Sequence, residues 1–242
     1  MKKEVVVFEN PKSPEAEMFR NLRTNIQFMN ADSEKKVMVI TSTMPGEGKS
    51  YVTANLAAAF AQIDKKVLII DSDMRKGRQY SIFKLRPRPG ISNYLSGVVD
   101  QNFMDKKDDI RNYIQETEIE NLFVITSGSV PPNPSELLVS SKMQKIIDTL
   151  SQLFDVIIFD APPCLVVADA LILARLVDFS IIVSAQNTTK IEDLNKVKLS
   201  IENVGGKVAG VVLNKVQINA KAYSNSYYYG EKISDFKPKQ RK

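Results

Sequence analysis

Three short stretches carry side chains that could act together on one substrate. "TMPGEGKS", Thr43 to Ser50, sets two glycines before a lysine and a hydroxyl. Gly46 and Gly48 let the backbone curl so that its N–H groups face inward, and a helix starting there adds its positive end. Phosphate oxygens are the natural guest. Lys49 supplies a point charge for β and γ phosphates, and the Ser50 hydroxyl can ligate Mg²⁺, so the ligand expected is ATP with its metal. The pattern G-x-x-x-x-G-K-[ST] fails only at its first glycine, where this chain has Thr43. The second stretch, "VLIIDSDMRKG", holds Asp71 and Asp73 with Arg75 two positions on, and the third, "FDVIIFDAPP", ends an apolar run in Asp160. On extended backbone an i, i+2 pair projects to one side, so Asp71 and Asp73 can both face a bound phosphate. Like charges so close are costly without a cation between them, and Mg²⁺ would compensate. The expected roles place Asp73 and Asp160 with Ser50 around the metal and give Asp71 the proton of the attacking group. Lys49, Asp71, Asp73 and Asp160 form the expected catalytic set. Met44, Pro45, Gly46, Glu47, Gly48, Lys49, Ser50, Tyr51 and Arg75 are expected to surround the nucleotide.

These residues need strands that end at one edge. Runs rich in Val and Ile begin at Val37, Val67, Leu122, Val156, Ser180 and Val208, and scarcely alternate with polar residues. That pattern belongs to strands buried on both faces. Helical stretches are predicted over Lys49 to Gln62, Pro134 to Leu153 and Ile191 to Val204. The expected fold is therefore α/β, a mostly parallel sheet flanked by helices on both faces. Tyr80 to Glu120 reads as short helices and loops on the rim. Ahead of the first strand, "SPEAEMFRNLRTNIQFMN" predicts a helix over 13–30, with Ser13 as cap and Pro14 in the first turn. Met18, Phe19, Leu22, Ile26 and Met29 form one stripe of it, and Glu17, Arg20, Arg23, Thr24 and Gln27 the opposite face. One domain over 1–216 is expected, followed by a flexible tail over 217–242.

Composition removes several classes of function. With no histidine and a single cysteine, Cys164, there is no basis for a His-based triad, a typical zinc site, an internal disulfide or an iron–sulfur cluster. No apolar run reaches the ~18 residues needed to span a bilayer, and the N-terminus lacks a leader pattern, so a cytoplasmic protein is expected. The formal charge is +5, but the last thirteen residues hold five cations against two anions, a net +3. A nearly neutral body argues against nucleic acid as a partner.

The motifs in combination resemble the bacterial tyrosine kinases, and within them the separate kinase subunit of capsule and exopolysaccharide assembly. The resemblance rests on "PGEGKS", the D-x-D-x-R of Asp71, Asp73 and Arg75, "IIFDAPP", the E-x-x-R-x-x-R of Glu17, Arg20 and Arg23, and the tail "AYSNSYYYG". It implies a P-loop fold related to partition and septum-placement ATPases. Those relatives carry a signature lysine where this chain has Met44, which speaks against a switch that only hydrolyses ATP. The resemblance further implies Asn214 as a neighbour of adenine and Tyr223, Tyr227, Tyr228 and Tyr229 as autophosphorylated residues. It also implies a ring-shaped homo-oligomer joined through Glu17, Arg20 and Arg23, and a membrane adaptor that keeps the protein at the inner face of the membrane. Charge supports the switch such a tail would make. Each phosphotyrosine adds about −1.5 to −2, so several within seven positions would repel neighbouring tails and an acidic site.

Overall fold

The computed structural model describes residues 4–29, 36–99 and 101–217. Seven strands form one sheet: β1 (Lys36–Ser42), β2 (Val67–Asp71), β3 (Gln115–Glu116), β4 (Leu122–Ile125), β5 (Val156–Asp160), β6 (Phe179–Ala185) and β7 (Val208–Asn214). Their order is β3-β4-β2-β5-β1-β6-β7, and every pairing is parallel except β3 with β4. All residues of β1, β2, β5 and β6 are buried. Alternate residues serve opposite faces: Met38, Ile40, Ile69 and Ile158 enter one core, and Val37, Val39, Leu68, Ile70 and Ile157 the other.

The first face is covered by α1 (Val6–Glu9), α2 (Pro14–Met29) and α3 (Lys49–Ala61). Eleven residues of α3 are buried, because the helix lies between the sheet and the two N-terminal helices and its alanines allow close approach. The second face is covered by α5 (Ile91–Ser96), α6 (Pro134–Val139), α7 (Ser141–Leu150), α8 (Asp169–Ala174) and α9 (Ile191–Asn203). Between β2 and β4, short α4 (Gln79–Ile82), α5, two 3₁₀ turns and β3 make up the irregular rim that the sequence suggests.

All six expected strands form, and the differences are local. The helix expected over Pro134 to Leu153 breaks at Ser140, whose ψ of 149° is extended and whose hydroxyl donates back to the Leu137 carbonyl at 2.7 Å. Serine competes for backbone bonds and favours such a position. On α2, Ser13 Oγ accepts from Ala16 N at 3.1 Å as a cap should. The buried stripe is narrower than the wheel implies: Ala16, Phe19 and Ile26 are buried, whereas Met18 and Met29 are exposed. β7 also departs from the two-sided burial expected, since it is an edge strand with Val211 and Leu213 exposed. The expected tail lies outside the described residues beyond Gln217.

Candidate active site

Three neighbouring strands, β2, β5 and β1, bring their C-terminal ends together. Asp71 closes β2 opposite Asp160, which closes β5. β1 ends at Ser42, and the chain turns through Thr43–Gly48 into α3. The positive φ angles of Gly46 (84°) and Gly48 (97°) curl the turn inward. A Cβ on Gly48 would lie 2.0 Å from Asn214 Nδ2, which donates to the Glu47 carbonyl at 2.8 Å. The end of β7 therefore braces the phosphate loop, and only glycine fits the close approach.

The loop is also braced from within. Glu47 is buried, and its Oε2 accepts from Met44 N at 2.9 Å. Its Oε1 accepts from Thr43 Oγ1 at 2.7 Å and from Thr189 Oγ1. Thr43, the residue that breaks the glycine pattern, thus donates one of the bonds that hold the loop. Beside the loop, a cavity of about 210 Å³ opens between Met44, Pro45 and Gly46 on one wall and Thr188, Lys190 and Lys215 on the other.

Lys49 Nζ lies 3.0 Å from Asp73 Oδ2, 3.5 Å from Asp160 Oδ1 and 3.4 Å from Ser50 Oγ. Burial pulls its pKa down, but Asp160, Asp73 and Asp71 outweigh that and hold the ammonium charged. Asp71 is fully buried. Desolvation, reinforced by Asp160, pushes its carboxyl up to about 8, against a smaller opposing pull from the Gln79 N–H bond and Lys49. Gln79 ties the acids together: its N–H donates to Asp71 Oδ2 at 3.0 Å, and its Nε2 donates to Asp160 Oδ2 at 2.8 Å and Ser50 O at 3.2 Å. Ser50, Asp73 and Asp160 all place oxygen within 3.5 Å of one cationic point, the Lys49 ammonium. A hard oxygen set of this kind suits Mg²⁺. Among the described residues no cluster of three acidic, His or Cys side chains is arranged to hold a metal. Mg²⁺ here would therefore complete its shell with phosphate and water.

A family model described as AAA domain matches residues 35–213. Tyrosine-protein kinase YwqD of Bacillus subtilis is 38% identical over 232 residues, 96% of this chain and 93% of that protein. Among solved structures, the kinase domain of Escherichia coli tyrosine kinase ETK superposes with a TM-score of 0.82 at 34% identity, covering 89% of this chain and 81% of that one. The chimerical protein CapA2B2 gives a TM-score of 0.81 at 39% identity, with 90% and 92% covered. The chain belongs to the bacterial tyrosine kinases. It is an enzyme of that family, a nucleotide-binding tyrosine kinase.

In this kinase most of the expected site converges: Lys49, Ser50, Asp71, Asp73 and Asp160 around one point, with the loop Met44 to Gly48 and Asn214 beside it. Other expected residues go elsewhere. The Glu47 carboxylate is taken up by Thr43, Met44 and Thr189. Tyr51 packs edge-on against Phe19 with ring centroids 5.8 Å apart, on the face covered by α2. Arg75 turns from the phosphate loop toward Ser135 and Asp169. On α2, Arg20 Nε binds Glu17 Oε2 at 2.6 Å within the same helix, and Arg23 Nη1 donates to the Ala59 carbonyl at 3.1 Å. These three are thus engaged within the chain, and Glu17 already has a partner in Arg20. Tyr223, Tyr227, Tyr228 and Tyr229 lie outside the described residues. Gln79 and Thr189 were not legible in the sequence, because neither belongs to a spaced motif. Among the described residues, no helix is long and apolar enough to cross a membrane.

Proposed function

We propose that this kinase transfers the γ-phosphate of ATP, with Mg²⁺, to the tyrosines of its own C-terminal cluster in a neighbouring copy. The observation that carries the reading is the convergence of Lys49 on Asp73 and Asp160 at the mouth of the phosphate loop, with the buried Asp71 beside them. Ser50, Asp73 and Asp160 would hold Mg²⁺, which neutralises charge on the β and γ phosphates when bound. The loop amides and Lys49 orient the phosphates. Asp71, its pKa raised toward that of a phenol, takes the phenolic proton as the tyrosine oxygen bonds to the γ-phosphorus. The bond from that phosphorus to the β–γ bridging oxygen breaks, and ADP leaves. Asn214 stands where it can border the nucleotide.

The ring reading rests on the E-x-x-R-x-x-R pattern and on α2's exposed Met18, Phe28 and Met29. Glu17, Arg20 and Arg23 would trade or share their present in-chain partners across subunits, where bidentate Arg contacts suit an interface. A partner protein fits a relative solved as a chimera, CapA2B2, and a membrane adaptor with control of capsule or exopolysaccharide assembly fits the motif set as a whole. The deciding experiment is phosphosite mapping after incubation with MgATP, comparing the parent chain, Lys49→Met, Asp71→Asn and a variant with all four tail tyrosines changed to Phe. Label on the tail cluster, absent from the first two variants, is expected. Release of free phosphate with no labelled tyrosine would sink the proposal.

A further inference from the structure

Arg75 is under-used in the position it takes. Its guanidinium offers five N–H donors in a planar fork, yet only Nη2 is engaged, 3.5 Å from both Asp169 Oδ1 and Ser135 Oγ. The side chain makes no other hydrogen bond or ion pair among the described residues. Behind it, Asp169 is fully buried. Ser135 Oγ donates to Asp169 Oδ1 at 2.5 Å, while Oδ2 has no hydrogen-bond partner among the described residues. A buried carboxylate so poorly supplied with donors is costly to keep unless its charge is used. It is used to anchor one corner of Arg75.

In front of the guanidinium lies an open cleft of about 240 Å³, walled by Pro132, Asn133, Pro134, Ser135 and Glu136. It shares no lining residue with the cavity beside the phosphate loop. Arg75 follows Asp73 by two residues, at most ~7 Å away along the backbone, and Lys76 N closes the turn on Asp73 Oδ1 at 2.9 Å. Asp73 in turn meets Lys49. The cleft's anchoring residue is therefore two positions from the Asp73 that meets Lys49, and the cleft is separate from the recess available to the nucleotide.

Phosphoryl transfer needs a second substrate at that point. The rigid proline rim can take an aromatic ring, and the free edge of the guanidinium suits the oxygens of a phosphate better than a point charge does. We propose that the Arg75 cleft is the acceptor subsite, where Arg75 receives the incoming tyrosine and then holds its new phosphate. Asp169 and Ser135 are positioning residues for it. The occupant is the tyrosine cluster of a second copy of this chain, so the assignment rests on the autokinase reading above.

The test has one arm without turnover and one with it. Full-length protein is titrated into the fluorescent peptide AYSNSYYYG carrying phosphotyrosine, and the unphosphorylated peptide is then used as acceptor in steady-state kinetics. Arg75→Ala and Arg75→Lys should each weaken phosphopeptide binding and raise peptide KM about tenfold or more, with lysine failing to rescue because it lacks the fork. Asp169→Asn should shift both in the same direction by less. ATP affinity from calorimetry should stay within about twofold in all three. An ATP affinity that falls while peptide KM holds would move Arg75 to the nucleotide and overturn the assignment, as would unchanged peptide binding in both Arg75 variants. Arg75 is half-exposed, so its variants remain informative if Asp169→Asn unfolds. Arg75-dependent phosphopeptide binding without any tyrosine labelling would defeat the autokinase reading and leave the receptor standing. Labelling that ignores Arg75 would do the reverse.

Discussion

Glu47 offers a sharp test of how the phosphate loop is held. Its carboxylate accepts from one backbone N–H, Met44, and two hydroxyls, Thr43 and Thr189, in a buried position. In Glu47→Ala the Met44 N–H cannot rotate to find another acceptor, and orphaning such a donor costs about 1–3 kcal/mol. The two hydroxyls can turn, and each should lose roughly 0.5–1 kcal/mol. Together this predicts a loss of about 3 kcal/mol, roughly a 150-fold fall in the folded-to-unfolded ratio. Glu47→Gln should behave differently. Its oxygen still serves Met44 N–H, its amide can donate to both hydroxyls, and a buried charge is removed, so the change should stay within about 1 kcal/mol. Urea unfolding of the three proteins measures both values, and calorimetry with an unhydrolysable ATP analogue should show affinity falling at least about tenfold in Glu47→Ala. Equal destabilisation by Ala and Gln, or a loss under about 0.5 kcal/mol for Ala, would refute the view that these three bonds hold the loop.

Two further outcomes are expected. Gln79→Ala removes the bonds to Asp160 Oδ2 and Ser50 O but keeps the backbone donor to Asp71; it should cost about 1–3 kcal/mol in urea unfolding and lower the phosphotransfer kcat roughly 10- to 100-fold, with ATP affinity little changed. Burial disfavours the thiolate of Cys164 and pushes its pKa up to about 11, so reactivity should rise with pH and remain slow at neutrality. Iodoacetamide at pH 8 should label the native chain about a hundredfold more slowly than the urea-unfolded one, and similar rates in both would contradict that burial.

The phosphate-binding chemistry and the general layering are written locally. A glycine turn needs only its own residues, a strand buried on both faces announces itself by an unbroken Val and Ile run, and Asp71, Asp73 and Asp160 stand where such runs stop. The dipole and amides of the α3 start then follow from Gly46, Gly48 and Lys49 without reference to the rest of the chain. Even the rim over 80–120 was readable as irregular. What distance in sequence separates was not readable. Thr189 meets Glu47 across 142 positions because β6 lies beside β1, and Asn214 braces the loop because β7 lies beside β6. Gln79 reaches Asp160 because β2 and β5 are neighbours, and nothing in its own surroundings marks it. Arg75 shows the same limit from the other side. Its spacing from Asp73 gave no sign that one corner of its guanidinium would rest on a buried Asp169 on α8. Periodicity and turn chemistry fix the backbone of each element, but the partner of a long polar side chain is set by strand order and by which buried groups come within its reach, and those belong to the assembled fold.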